Sequence, residues 1–225
     1  MILVAASLFA FSGSAATVTG TVTAQGKPGI EQAGGGGNYE SRKFKFVDKI
    51  NYAEMHDFVV YIDGPMTNHV AASGTTRKVL TQKDAMFHPH ILPICLGTTV
   101  EWPNEDEIFH NVFSVSEAKN FDLGLYKSEG RNPEIKRVPF DKAGRVDVFC
   151  SIHSNMHCVV LVLENTFFTT TDSKGRYTLG DVPVGTYKLK AWHERLPPQT
   201  KEITVTDSGE IKVDFSLGIK DLPKY

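Results

Sequence analysis

The chain has 225 residues, of which 41% are hydrophobic and 22% charged, and its formal net charge is −2. This length and composition indicate a globular protein with one large domain or two small ones. Acidic and basic residues are interspersed, which excludes the basic footprint that a nucleic-acid-binding protein needs and a polybasic membrane-binding segment.

The first 16 residues, MILVAASLFAFSGSAA, are an apolar run that ends in small residues. The pattern is typical of a secretory signal with Ala15 or Ala16 as the last residue removed, although the usual basic start is missing. The alternatives are a buried first strand and a short uncleaved anchor, and the run is too short to span a bilayer comfortably. We expect a periplasmic or otherwise exported protein with no membrane span in the mature chain.

The next part of the chain combines strands with a long polar loop. Residues 16–29 alternate β-branched side chains and then reach a Gly/Pro turn, which predicts a strand and its turn. The glycine-rich residues 33–46 predict a loop, and residues 47–57 a short helix. The apolar run DFVVYIDG at 57–64 predicts a further strand.

From residue 77 the pattern is β throughout. Strands are predicted over RKVLTQKDAMF, ILPICLGTTVEW (broken at its glycine), NVFSV, RVPF, GRVDVFC and CVVLVL. The segment KNFDLGLYKSEGRNPE at 119–134 is predicted to be irregular. Short strands separated by Gly, Pro, Asn and Asp are typical of a β-sandwich.

The last part, from about residue 165, predicts a second small β module. FFTTTDSKGRYTLGDVPVGTYKLKAWHE contains three strands separated by DSKG and DVPVG turns, and KEITVTDSGEIKVDFSL predicts a hairpin around DSGE. The predicted fold class is therefore all-β, with two β-sandwiches.

The strongest chemical signal is GRVDVFCSIHSNMHCVVLVL at 144–163. Cys150, His153 and Met156 form a C-x-x-H-x-x-M pattern between two strands, and a thiolate, an imidazole and a thioether suit copper above all. Two histidines and a cysteine with a weak axial methionine are the ligands of a blue-copper site. The second histidine must come from elsewhere, and His110, just before a strand, is the candidate. Asn111 is placed to brace the ligand loop by hydrogen bonding.

These residues resemble the cupredoxin family, especially its amicyanin and plastocyanin-like branch. The matching motifs are FHNVF at 109–113, FCSIHSNM at 149–156 and FHPHILPICLGTTVEWPN at 87–104, so the resemblance covers roughly residues 77–163. It implies a Greek-key β-sandwich in which His110, Cys150, His153 and Met156 hold one mononuclear copper as Cu(I) or Cu(II). It also implies an exposed apolar patch near His153 through which electrons leave. The chain departs from its relatives at Cys158, where they commonly have a small residue.

The resemblance implies an exported electron carrier rather than an enzyme, with a redox protein such as a cytochrome or a dehydrogenase as its partner. The alternatives are a periplasmic copper-binding or delivery protein and a structural interaction module with a vestigial site. Zinc is a weaker candidate because it rarely accepts methionine.

The flanking pattern TDSKGRYTLGDVPVGTYKL resembles the carboxypeptidase regulatory-like β-sandwich. That family begins with a G-x-V strand, a G-x-P turn and a V-V-Y-like strand, which occur here far upstream as GTVTAQGKPG and FVVYIDG. The resemblance implies one regulatory-like module from residues 17–75 and 164–225, with the cupredoxin domain inserted at 76–163, after the signal expected at 1–16. A separate N-terminal extension is the alternative.

Several side chains leave questions open. Cys95 and Cys158 form either a disulfide or two buried thiols, since sequence cannot supply the geometry. His157 is either a surface residue or a replacement for Met156 as the axial ligand. His88 and His90 share a face of an extended segment and could bind a second metal, but no third ligand is identifiable. The acidic residues at 105–107 form either a docking patch for a cationic partner or a solvated loop.

Overall fold

The computed structural model describes residues 15–26, 51–66, 76–128 and 135–218. The predicted signal therefore lies outside the described residues except for Ala15 and Ala16, and so does the glycine-rich loop. Ala15 and Ala16 begin the first strand, and Ala16 is buried. Within the described ranges, no helix is long and apolar enough to cross a membrane.

The described chain is nearly all β, which confirms the predicted fold class. One turn of 3-10 helix, Tyr52–Glu54, lies within the segment predicted as a short helix. The strands are β1 (Ala15–Gln25), β2 (Val59–Ile62), β3 (Arg77–Val79), β4 (Thr81–Lys83), β5 (Met86–His88), β6 (Ile91–Cys95), β7 (Thr99–Trp102), β8 (His110–Val115), β9 (Asn120–Tyr126), β10 (Lys136–Pro139), β11 (Gly144–Phe149), β12 (His157–Leu163), β13 (Phe168–Thr170), β14 (Arg176–Pro183), β15 (Gly185–His193), β16 (Leu196–Val205), β17 (Glu210–Lys212) and β18 (Phe215–Gly218).

The middle of the chain forms a first sandwich. A five-stranded sheet in the order β6-β12-β11-β8-β9 faces a three-stranded sheet in the order β10-β7-β3, and β4 and β5 form a hairpin beside them. The core between the sheets is apolar and contains the fully buried Leu80, Trp102 and Phe140. Burial of these side chains supplies most of the drive to pair the two sheets.

The second sandwich combines strands from both ends of the described chain. In one sheet β1 pairs with β14, β17 and β18, and in the other the order is β13-β2-β15-β16. Its core contains the buried Val18, Phe58, Val60 and Leu189. Strands that are far upstream in sequence thus share a core with the C-terminal strands.

Strand β12 is buried on both of its faces. Side chains alternate along a strand, so Cys158, Val160 and Val162 face the first core, while Val159, Leu161 and Leu163 face β2 of the second sandwich. The apolar layer on that second face includes Val59, Tyr61 and Ile91. Burial on two sides explains why the run CVVLVL lacks the polar alternation of a half-exposed strand.

Three sequence predictions about strands are wrong in detail. Residues 77–87 form three short strands, because Asp84 and Ala85 adopt positive φ angles of 54° and 52° and turn the chain into a hairpin. Part of the segment predicted as irregular is β9, which pairs with β8. The DSGE turn does not close a hairpin either, because β17 pairs in parallel with β1 instead of with β16.

Candidate metal centre

The four predicted ligands lie at one end of the first sandwich. His110 is the first residue of β8, Cys150 directly follows β11, and Met156 directly precedes β12. The Cys150 N–H donates to the Met156 carbonyl at 3.2 Å, and the Met156 N–H donates to the His153 carbonyl at 3.0 Å. These two bonds close the loop of residues 150–156 over the end of the β11–β12 hairpin. We call the four residues the loop cluster.

Three donor atoms of the loop cluster converge. The Nδ1 atoms of His110 and His153 are 3.0 Å apart, and Cys150 Sγ is 3.7 Å from His153 Nδ1. All three atoms lie within 4.8 Å of one another. Met156 is 1% exposed and belongs to the same buried core as Cys150. The structure therefore brings together the side chains that the sequence singled out.

The loop cluster is shielded from water on most sides. His110 is 0% exposed and Cys150 6%, whereas His153 is partly exposed. The backbone N–H of Asn111 donates to Cys150 Sγ at 3.4 Å, and the Asn111 side chain donates to Asp122 at 2.7 Å. This N–H holds the cysteine sulfur in place, so Asn111 braces the loop as its position next to His110 suggested.

Asp106 contacts His110, and the sequence did not predict this contact. Its carboxylate lies 2.8 Å from His110 Nε2 and also accepts the backbone N–H groups of Asp84 and Ala85 at 2.8 and 3.0 Å. Burial works against ionisation of Asp106, but these hydrogen bonds bring its pKa below the ordinary value. Its side chain points inward, so the acidic residues at 105–107 are not simply a solvated loop.

The arrangement fits a soft or borderline metal ion. An ionised carboxylate can only accept a hydrogen bond, so His110 carries its proton on Nε2 and presents the Nδ1 lone pair to the cluster. Two imidazole lone pairs and a cysteine sulfur then share one small space, and the buried Met156 belongs to the same core as the cysteine. Copper accepts all four donor types, whereas zinc rarely accepts the thioether.

The remaining cysteine and histidine candidates lie elsewhere. Cys95 is opposite Leu163 in the β6–β12 ladder, five residues along β12 from Cys158, so no disulfide joins the two. Burial raises the pKa of the Cys158 thiol well above its ordinary range. The His157 ring lies on the other face of the hairpin, with Nε2 at 3.0 Å from Asp147 Oδ1, and so it does not replace Met156.

An apolar surface borders the two histidines of the loop cluster. Phe109 precedes His110, Ile152 precedes His153, and both are about half exposed. Ile108 and Leu125 are exposed in the same region, since Leu125 is opposite Asn111 in the β8–β9 ladder. Exposed apolar side chains that adjoin both histidines in sequence are candidates for an interaction surface.

Comparison with protein families places one match in the chain. The model of the carboxypeptidase regulatory-like domain matches residues 158–218. The match includes β12, which pairs with β11 and β6 of the first sandwich, together with β13–β18 of the second. A comparison with curated protein sequences gives no match.

The similar solved structures are copper proteins of the cupredoxin fold. A copper-containing nitrite reductase from Thermus scotoductus is 24% identical, with 47% of this chain and 28% of that chain covered and a TM-score of 0.36. A purple cupredoxin from Nitrosopumilus maritimus is 23% identical over 37% of this chain and 97% of its own, with a TM-score of 0.32. A reduced amicyanin variant is 20% identical over 46% and 97%, with a TM-score of 0.35. The chain thus spans under a third of the nitrite reductase.

Proposed function

We propose that this protein is an exported carrier of single electrons with one mononuclear copper site made by His110, Cys150, His153 and Met156. The observation that supports it most is the convergence of two Nδ1 atoms and the cysteine sulfur within 4.8 Å at a buried loop. Two imidazoles, a thiolate and a weak thioether are the ligands of blue-copper electron-transfer sites.

Bound copper would supply a one-electron couple between Cu(I) and Cu(II). The protein's own contribution is a fixed frame. His110 is fixed by Asp106, Cys150 by the Asn111 N–H, and the loop by its two backbone bonds. A frame that holds the same donors in place before and after electron transfer keeps the reorganisation small, which favours fast transfer.

Electrons would enter and leave through His153. It is the partly exposed ligand of the loop cluster, and the apolar side chains of Phe109 and Ile152 lie beside the two histidines in sequence. We propose that a redox protein such as a cytochrome or a dehydrogenase docks on this surface. Neither nucleic acid nor a chemically transformed substrate is part of the proposal.

The second sandwich is proposed as a scaffold. The pairing of β1 and β2 with C-terminal strands supports one regulatory-like module from residues 17–75 and 164–225, with the cupredoxin-like domain of residues 76–163 inserted in it. The apolar layer between the sandwiches would fix the position of the copper domain on this scaffold.

The test is the visible spectrum of the Cu(II)-loaded protein beside Cys150→Ser and the control Cys158→Ala. Cys158 is also a buried thiol of the same hairpin but lies outside the loop cluster. We expect an intense thiolate-to-copper band in the wild type and in the control, and its loss in Cys150→Ser.

A colourless wild type, or a band that persists in Cys150→Ser, would exclude the proposed site. If the band is present in the wild type and lost in Cys150→Ser, reversible one-electron titration with the copper retained supports a carrier. Transfer of the copper to an apo acceptor, without reversible redox cycling, supports a delivery protein instead.

A further inference from the structure

A second group of metal-binding side chains lies where the two sandwiches meet. His90 directly precedes β6, His157 is the first residue of β12, and Glu194 is in the turn between β15 and β16. One ring nitrogen of each histidine and a carboxylate oxygen lie within 4.8 Å of one another. We call these three residues the junction cluster. It draws on three distant segments of the chain and on both sandwiches.

The outer contact of His90 decides which of its nitrogens faces the cluster. His90 Nδ1 is 3.1 Å from the backbone carbonyl of His157, and a carbonyl can only accept. The proton of the neutral ring is therefore on Nδ1, and the lone pair is on Nε2. Nε2 lies 2.7 Å from Glu194 Oε1, which is itself an acceptor when the carboxylate is ionised.

His157 is oriented in the same way by a carboxylate. Its Nε2 is 3.0 Å from Asp147 Oδ1, and Asp147 also accepts two hydrogen bonds from Arg145 at 2.7 and 2.9 Å. The neutral His157 ring therefore presents its Nδ1 lone pair, 3.9 Å from Glu194 Oε2. The Phe149 ring stacks on His157 at 4.9 Å and 28°, which limits rotation of the imidazole.

A proton on His90 Nε2 can bridge the 2.7 Å contact with Glu194. Without that proton, two lone pairs and a carboxylate face one another, and the cluster can take one cation in its place. A proton on His90 Nε2 would satisfy only one of the three contacts, whereas a metal ion would satisfy all three. Metal-bound histidines usually donate their other N–H to a carboxylate or a carbonyl, as both rings do here. Two histidines and one glutamate are an established donor set for zinc.

The geometry points to a second metal site, in which His90, His157 and Glu194 bind a borderline divalent cation. Two histidines and a glutamate favour zinc as this cation. Bond lengths of 2.0–2.2 Å put tetrahedral ligand atoms about 3.3 Å apart. The 2.7 Å contact of Glu194 with His90 would widen slightly and the 3.9 Å contact with His157 would shorten.

The junction cluster is accessible from solvent. A cleft of about 460 Å³ is lined by His90 and Glu194 together with His56, Asp57 and His193. It gives a metal ion a route to the site and leaves room for water as a further ligand. His88, which the sequence paired with His90, is exposed and is not part of the cluster. His157 takes the place that the sequence gave to His88, and Glu194 is the third residue of the cluster.

The test is zinc titration of the full chain in competition with a chromophoric chelator. Four proteins are compared: wild type, Glu194→Gln, Cys150→Ser and His88→Ala, with circular dichroism as the check on folding. Cys150→Ser removes a ligand from the loop cluster, so the zinc that this variant binds is the zinc of the junction cluster. The result therefore does not depend on the copper proposal. We expect one equivalent of zinc to remain bound in Cys150→Ser and in His88→Ala. Glu194→Gln should weaken its binding by at least about 100-fold, which is more than the loss of metal affinity caused by changing a residue that only orients a ligand.

A second readout covers the case in which Glu194→Gln fails to fold. In ¹⁵N NMR of the histidine rings, zinc should shift His90 Nε2 and His157 Nδ1 and leave the other nitrogen of each ring protonated. The proposal fails if no zinc equivalent survives in Cys150→Ser, or if His88→Ala removes it. It also fails if His90 keeps a proton on Nε2 in the presence of zinc, because the cluster is then only an ion pair.

Discussion

The loop cluster and the junction cluster occupy opposite faces of one hairpin, β11–β12, and differ in almost every chemical respect. The loop cluster has a cysteine and a methionine, both buried in one core, and it suits a soft ion. The junction cluster has a carboxylate, is open to a cleft, and suits a harder one. Met156 and His157 are neighbours in sequence, and each belongs to a different cluster. Successive side chains of a strand point to opposite faces of the sheet, which explains why the two clusters lie on opposite sides of the hairpin.

The difference teaches how each cluster depends on the rest of the molecule. All ligands of the loop cluster belong to the first sandwich, so its geometry needs only that fold. The junction cluster takes Glu194 from the second sandwich, so it exists only while the two sandwiches are in contact. Changes at the contact should therefore affect one cluster and not the other.

The largest expected effect comes from Leu161→Ala, which removes a side chain of the layer between the sandwiches. Leu161 is 5% exposed and packs in the cluster with Val59 and Tyr61. A buried Leu→Ala change lowers the free energy of unfolding by about 2–5 kcal/mol. We expect this loss in urea unfolding, together with weaker zinc binding and unchanged copper binding.

Ile94→Ala is the matched control, because Ile94 is fully buried in the core of the first sandwich and not in the layer between the sandwiches. It should lower stability by a similar amount without weakening zinc binding. Equal zinc affinities in wild type and Leu161→Ala would show that the junction cluster does not depend on the packed contact.

The next largest effect is expected for His110→Ala, which sharpens the comparison from the other side. Four-ligand metal sites contribute about 10–16 kcal/mol, so loss of one ligand should weaken copper binding by roughly 100–1,000-fold. Zinc binding at the junction cluster should not change. Competition with a chelator measures both affinities, and His88→Ala, at an exposed histidine outside both clusters, is the control.

The sequence could place the side chains of the loop cluster near one another because their geometry is local. One short loop between two strands contains Cys150, His153 and Met156. The pairing of β11 with β12 brings the two ends of this loop together without the help of distant segments. The start of a neighbouring strand then supplies His110. The copper itself stays a prediction, which the spectrum of Cys150→Ser tests.

The contacts that the sequence did not predict are those between distant segments. Asp106 is only four residues from His110, but its carboxylate is also held by backbone N–H groups of the distant β4–β5 turn. Glu194 is 104 residues from His90. The pairing of β17 with β1 is longer in range still. Strand β9 was missed because Asp122 and Gly124 are poor strand formers, and its pairing with β8 outweighs that preference.

Smaller effects are expected for two outer carboxylates, and together they form a crossed test of the comparison. Asp106→Asn should weaken copper binding by about 10–100-fold, and Asp147→Asn should weaken zinc binding by about 10–100-fold, since each carboxylate orients a ligand histidine. Each variant should leave the other metal's affinity unchanged. If either variant weakens both metals equally, a general disturbance of the fold is the cause rather than a lost orienting bond.

The smallest expected effect is that of Phe149→Leu, at the residue that contacts both clusters. Phe149 precedes Cys150 in the chain and stacks its ring on His157. A ring pair of this kind contributes about 0.5–1.5 kcal/mol, so zinc binding should weaken by a factor of about 2–10. Copper binding should hardly change, because leucine keeps the apolar volume and the strand that positions Cys150. A loss of copper affinity as large as the loss of zinc affinity would mean that the two faces of the hairpin move as one unit. Metal binding at either cluster would then change the metal affinity of the other.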